Sequence, residues 1–202
     1  MSILTPPTDL IQWPPEPARR LTVAEYHEML KAGILRQDDP FELLEGWLVP
    51  KMTRNAPHDV AVSLAEQAID RELPEEWFRR IQSAVTTADS EPEPDIAVVR
   101  GPRRRYLQGH PGPKDTGLLV EVADSSLQRD RTTKQRVNAR SMIPVYWIVN
   151  LIDMHIEVYT DPSGPDAEPH YRNRQDYGPG DCVPLVLDGQ EIARIPVRDL
   201  LP

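Results

Sequence analysis

Hydrophobic and polar positions along the 202-residue chain change period several times, and each period predicts an element. Val23, Tyr26, Met29 and Leu30 recur at helical spacing between Thr22, which stands three residues before Glu25 as in a capping box, and Gly33. That predicts a helix over about residues 22–32. Phe41 to Val49 holds two apolar stretches divided by Glu45 and Gly46, the form of a hairpin. From Ala56 to about Arg71, Val60, Leu64, Ala65, Ala68 and Ile69 fall largely on one helical face. Pro57 sits in the first turn, where a missing N–H costs nothing, and Pro74 stops the run.

Ile81 to Thr87, Asp95 to Val99 and Leu118 to Val122 then read as strands. Asp130 to Ser141 carries a helical pattern, and Val145 to Val149 is apolar enough to be a strand buried on both faces. Ile156 to Tyr159 alternates and returns through Asn150 to Asp153 as a further hairpin. The order helix, three strands, helix, strand is that of an α/β layer structure. Its strand–helix–strand step over residues 118–149 predicts a right-handed parallel crossover. Such a crossover brings Glu121 and the start of the following helix to one end of the sheet.

Composition changes this picture at the ends. Many of the 22 prolines gather at residues 6–17, 92–113 and 162–202, which reads as an extended N-terminal arm, a long inner loop and an irregular C-terminal portion. No apolar run approaches the roughly 18 residues that span a bilayer, and no charged start leads into an apolar stretch, so a cytoplasmic protein is expected. Cys182 is the only cysteine, which excludes an intramolecular disulfide and a thiolate zinc cluster within one chain. The net charge of −9 speaks against a generally basic nucleic-acid coat. Residues 98–140 nevertheless hold ten Lys or Arg against four acids, which suits either phosphate contact at one face or a solvated basic helix and loop.

The candidate chemistry lies in the acids that interrupt apolar strands. Asp95 opens one strand after Glu93-Pro94, and Glu121 sits inside another. Two carboxylates about 4 Å apart repel by roughly 4 kcal/mol at an effective dielectric near 20, and burial adds a desolvation cost. A divalent cation removes both penalties, and sparse oxygen ligands suit Mg²⁺ or Mn²⁺ better than zinc. Glu42 and Glu45 are alternatives for a further carboxylate, with Glu42 favoured and a turn role open for Glu45. His58, near a helix N-terminus, reads as a neutral hydrogen-bonding or water-positioning group. Tyr146 and Trp147 read as core aromatics. No G-x-S-x-G elbow, phosphate-binding glycine loop or evident histidine metal motif is present.

These pieces, in this order, resemble the PD-(D/E)XK nuclease-like superfamily and, within it, the Uma family of restriction-endonuclease-like proteins. The resemblance spans about residues 21–160. It is carried by Phe41-Glu42-Leu43-Leu44-Glu45-Gly46, Pro57-His58, Pro94-Asp95-Ile96-Ala97-Val98-Val99, Val120-Glu121-Val122 with Ser125-Ser126, Asp130 with Lys134, and Pro144-Val145-Tyr146-Trp147. It implies a restriction-endonuclease-like mixed α/β sheet flanked by helices, with an added N-terminal helix and β-hairpins. The organisation expected is an arm over 1–20, the nuclease-like domain over 21–160, and an irregular or β extension over 161–202 packed on the same domain. The implied activity is Mg²⁺-dependent DNA hydrolysis by a homodimer. Asp95, Glu121 and the Val122 carbonyl would be metal ligands, Lys134 would orient the attack, and Glu42 and His58 would assist. Arg103, Arg104, Arg105 and Arg131 are the candidate DNA contacts. The superfamily pattern places its lysine two residues after the glutamate, where this chain has Ala123. The Uma pattern places it at the start of the next helix, where Lys134 stands. Ala123 also motivates the alternative of an inactive nuclease-fold module that binds nucleic acid or protein.

Overall fold

The computed structural model describes residues 19–36 and 38–202, so the arm expected over 1–20 lies outside the described residues except for Arg19 and Arg20. Helix α1 (Val23–Lys31) begins as its pattern requires: the Thr22 side chain accepts from the Glu25 N–H, and Glu25 accepts in turn from the Thr22 N–H. The strands β1 (Phe41–Leu44) and β2 (Trp47–Pro50) form the expected hairpin, turning on Glu45 and Gly46 with φ of 52° and 81°. Such a two-residue turn with positive φ matches the twist of the strands it joins.

Helix α2 (Ala56–Asp70) is capped by Asn55, whose side chain accepts from the His58 N–H at 3.0 Å. Its buried stripe is Ala61, Val62, Ala65, Ala68 and Ile69. Val60, expected in that stripe, is 49% exposed. The alanines set the phase, because small side chains let the helix lie close to the sheet.

The main sheet has six strands in the order β3 (Trp77–Ile81), β4 (Ile96–Arg100), β5 (Thr116–Ala123), β6 (Val145–Asn150), β7 (His155–Pro162) and β8 (Tyr171–Tyr177). Only β5 and β6 pair in parallel; every other neighbour is antiparallel. The strand expected over 81–87 is displaced: β3 ends at Ile81, where Gln82 takes φ 45°. The chain beyond it crosses irregularly to the β1–β2 hairpin, bridging to it through Leu43 and Glu91. Trp77 and Phe78, rather than the Val85 region, supply the strand that covers β4.

Between β5 and β6 runs one helical stretch, α3, which is α over Leu127–Arg129, π over Asp130–Lys134 and α again over Gln135–Arg140. It starts three residues earlier than its polar–apolar pattern predicts, and the π segment was not legible in that pattern. The C-terminal region is more regular than its prolines and glycines suggest. It adds β8 to the sheet and then a hairpin, β9 (Cys182–Leu187) and β10 (Gln190–Pro196).

Two apolar layers result. One packs α2, the β9–β10 hairpin and the C-terminal leucines against Ile96, Val98, Leu118, Val120, Trp147 and their neighbours. The other packs α3 against Ala97, Leu119, Tyr146, Ile148 and Tyr159. Tyr146 and Trp147 are fully buried, one in each layer. Among the described residues, no helix is long and apolar enough to cross a membrane.

Candidate active site

Antiparallel register places the two strand acids side by side. Ile96 pairs with Val120, so Asp95, one residue before β4, falls next to Glu121. Both belong to the alternation that faces α3. Asp95 Oδ2 accepts the Val122 N–H at 2.9 Å, which locks the carboxylate to the end of β5. Helix α3 then passes over the pair and brings Asp130 and Lys134, four residues apart, onto the same spot.

Lys134 is the hub. Its Nζ lies 2.8 Å from Glu121 Oε1, 3.7 Å from Glu42 Oε1 and 4.0 Å from Asp130 Oδ1. Burial opposes its charge, but Glu121, Glu42 and Asp130 overcome that penalty and hold its pKa above the ordinary lysine range. The surrounding acids therefore favour the charged ammonium. Four carboxyl groups, those of Glu42, Asp95, Glu121 and Asp130, are buried around it. Burial pushes Glu121 and Asp130 up, and the neighbouring acids add to it against the pull of Lys134. Neither Asp130 oxygen has a partner at good hydrogen-bond geometry, the nearby Ser126 side chain giving only a weak counterweight. Asp95 behaves differently: burial raises it, yet His58, the Val122 N–H and Lys134 bring it below its usual value.

His58 stands between two carboxylates. Its Nε2 lies 3.2 Å from Asp95 Oδ2 and its Nδ1 3.4 Å from Asp59 Oδ1. The Asp95 hydrogen bond raises its pKa against the opposing effect of burial, so the imidazole is protonated more readily than a free one. The helix N-terminus, which favours the neutral ring, is outweighed by two carboxylates. Glu42 and Glu45 also separate. Glu42 faces Lys134 and accepts the Glu93 N–H at 3.2 Å, whereas Glu45 turns away to Arg136 and Arg140.

These groups line a polar cleft of about 60 Å³ whose rim carries Lys51, Arg54 and Arg129. Lys51 pairs with Glu93 at 2.8 Å. The Arg54 guanidinium meets Gln82, and that of Arg129 meets the Pro50 carbonyl, neither having an acidic partner among the described residues. Asn55 and Asp124, 2.7 Å apart, tie the start of α2 to the end of β5 and close one wall. Sequence reasoning gave no role to these rim cations or to the Asp130 carboxylate. The spacing of Asp130 four residues before Lys134 was the available signal; for the rim there was none beyond its basic residues.

The arginines expected at DNA lie elsewhere. Arg103, Arg104 and Arg105 sit on a short turn after the far end of β4 from Asp95, with Arg103 over the Phe78 ring and Arg105 paired to Asp115. Four residues of strand, roughly 13 Å at 3.3 Å per residue, separate that end from the cleft. Arg131 is bound to Glu157 on the sheet.

The donor set can be tested against a divalent cation. Among the described residues, no group of three or more His, Cys, Asp or Glu side chains stands as a ready metal cage. What is present is an excess of buried carboxylate over buried cation, with two orphaned oxygens on Asp130. Hard oxygen donors of this sparse kind fit Mg²⁺ or Mn²⁺, which keep several waters, and do not fit zinc.

A search of curated proteins found no match. Among solved structures, the chain is similar to one described as a "putative nuclease belonging to DUF820 from Anabaena variabilis ATCC 29413". That likeness has a TM-score of 0.66 and 17% identity over 89% of this chain and 97% of that one. At that identity it shows a shared fold: a six-stranded mixed sheet flanked by helices. The family model Uma2, described as "Putative restriction endonuclease", matches residues 23–195, from α1 to the end of β10, and so takes in every element that builds the cleft; the chain belongs to the Uma2 family.

Proposed function

We propose that the cleft is a Mg²⁺- or Mn²⁺-dependent phosphodiesterase site that cuts DNA. The observation that carries this reading is the imbalance at its centre: four buried carboxyl groups share one ammonium and one imidazole. Left alone, such a cluster must take up protons or bind a cation. Asp95, Glu121 and the Val122 carbonyl would hold the ion, with Asp130 and Glu42, which share Lys134 with Glu121, as the further carboxylates of the cleft. When bound, the ion supplies a water of lowered pKa and neutralises charge on the phosphate.

The chain's own residues do the rest. Lys134, held in its charged form by the acids around it, offers a positive charge where the phosphate gathers negative charge. His58, oriented by Asp95 and Asp59, is placed to hold a water or a leaving oxygen by hydrogen bonding. Lys51, Arg54 and Arg129 give the rim its attraction for a phosphate backbone. Cutting both strands of a duplex calls for two sites, so a homodimer is part of the proposal.

Pure protein incubated with duplex DNA and Mn²⁺ should cleave it, chelation should stop cleavage, and Glu121→Ala should slow it by at least about 100-fold. Absence of cleavage, or full activity in Glu121→Ala, overturns the reading. Ala123 at the position of the superfamily lysine favours a second reading, a non-catalytic module on the same fold. Salt-dependent DNA binding without metal-dependent cleavage selects it.

A further inference from the structure

A second buried acid lies in the same row as Glu121. Glu121 pairs with Ile148, and Ile148 with Glu157, so β5, β6 and β7 present the three side chains on one face, the face that α3 covers. Glu157 is 0% exposed and takes no part in the cleft. Its oxygens are fully engaged: Arg131 Nε donates at 3.0 and 3.1 Å, the Arg131 Nη2 closes a second arm on Oε1, the Tyr159 hydroxyl donates at 2.7 Å and Asn150 Nδ2 at 2.9 Å.

Arg131 and Lys134 come from the same π-helical segment, three residues apart. One reaches Glu157 and the other Glu121, two strand spacings or about 10 Å apart across the sheet. A π segment is a less favourable geometry than α and needs outside support. Its own start offers little, because Ser126 makes no side-chain cap bond and the α piece ahead is only three residues long. The Tyr146 hydroxyl adds one bond, 3.2 Å, to the Asp130 carbonyl. Apart from the Lys134–Glu121 pair itself, the fork onto Glu157 is the charged hold between this segment and the sheet among the described residues.

Resting on the nuclease reading of the cleft, we infer that the Arg131–Glu157 pair is a positioning device that fixes the π register of α3 and thereby sets Lys134 against Glu121. With the fork removed, the segment relaxes toward α geometry. Losing the extra residue of the π turn rotates one end against the other by about 100°, the angle per residue of an α-helix, so Lys134 turns away from Glu121. Arg131 thus acts through Lys134 and not on DNA.

The test uses Arg131→Ala, Arg131→Lys and Glu157→Gln in the full chain, with two readouts. In Mn²⁺-dependent cleavage of duplex DNA, Arg131→Ala should lower kcat at least about tenfold with KM for DNA changed less than about twofold, and Arg131→Lys should recover part of the loss. Independently of activity, acetylation of the native protein followed by mass spectrometry should find Lys134 protected in the parent. In Arg131→Ala it should be labelled several-fold faster, with exposed Lys31 unchanged and amide exchange in β5 and β6 unaltered. If Arg131→Ala fails to fold, Glu157→Gln carries the same labelling test. Unchanged protection of Lys134 in a folded variant overturns the positioning role whatever the activity. A parent protein that labels as expected but does not cleave overturns the nuclease reading alone.

Discussion

Each acid of the cleft depends on a particular neighbour, and that dependence can be measured one side chain at a time. Replacing Lys134 by Met removes the ammonium shared by Glu42, Glu121 and Asp130, and breaking a buried pair in this way costs about 3–5 kcal/mol. The cost varies with pH in a definite direction. A carboxyl whose folded pKa is raised, as for Glu121 and Asp130, leaves the fold undisturbed while protonated and destabilises it as pH climbs from the ordinary value, 4.5 for Glu121 and 3.8 for Asp130, through the raised folded value. Urea denaturation should therefore find the Lys134→Met deficit smallest near pH 4–5 and largest above pH 7. His58 moves the other way. Its raised pKa stabilises the fold below 6.5, and that stabilisation is lost as pH rises through the folded value. An NMR titration should place the His58 imidazole above 6.5, and Asp95→Asn should bring it to 6.5 or lower; an unshifted His58 in the parent refutes the pairing. Asp95, Glu121 and Glu42 could be picked out in the sequence because each is an acid set among apolar strand residues, a cost that calls for a partner. The rim could not, since Lys51, Arg54 and Arg129 sit in loops or at a helix start, where a charge costs nothing and so signals nothing.

At the scale of elements, what could be read depended on how local the cause was. The capping box of α1 and the Glu45-Gly46 turn are decided within a few residues, and both stand where the pattern places them. The turn carries a sharp prediction. A Cβ on Gly46, at φ 81°, would stand 2.6 Å from Arg20 Cβ and 2.8 Å from the Leu21 carbonyl. Gly46→Ala should cost about 1–3 kcal/mol of stability by chemical denaturation and loosen the hairpin that carries Glu42. A loss under about 0.5 kcal/mol would show that the turn is not held by the close approach of residues 20 and 21. Elements settled by distant partners were harder to read. The strand expected at 81–87 is displaced to Trp77–Ile81 because its register is set by β4, twenty residues on. The π segment of α3 follows no periodicity in the sequence, and its ties run to Glu157 and Glu121 across the sheet. The β8 strand, with five exposed polar residues, lacks the apolar alternation by which strands are recognised.

Across the whole molecule, the excess of basic residues in the 98–140 window does not become a basic face. Folding pairs Arg100 with Asp188, Arg105 with Asp115, Arg131 with Glu157, Lys134 with Glu121, and Arg136 and Arg140 with Glu45, so six of the ten bases meet an acid. Most of those acids come from outside the window, a cancellation that no count along the chain detects. The positive charge that borders the cleft comes from Lys51 and Arg54, outside the window, and from Arg129 alone within it. Binding of DNA to this acidic body should then rest on few phosphate contacts. Each neutralised phosphate contributes a slope of about −0.9 to the logarithm of affinity against the logarithm of salt, so two or three contacts give about −2 to −3 for each cleft. Arg54→Ala and Arg129→Ala should each reduce that slope by about 1, measured by fluorescence anisotropy with chelator present to suppress cleavage. Arg103→Ala, at the far end of β4, should leave it unchanged. A slope near −6, or a loss in Arg103→Ala equal to that in Arg129→Ala, would mean that DNA lies along the sheet edge beside β3 and not across the mouth of the cleft.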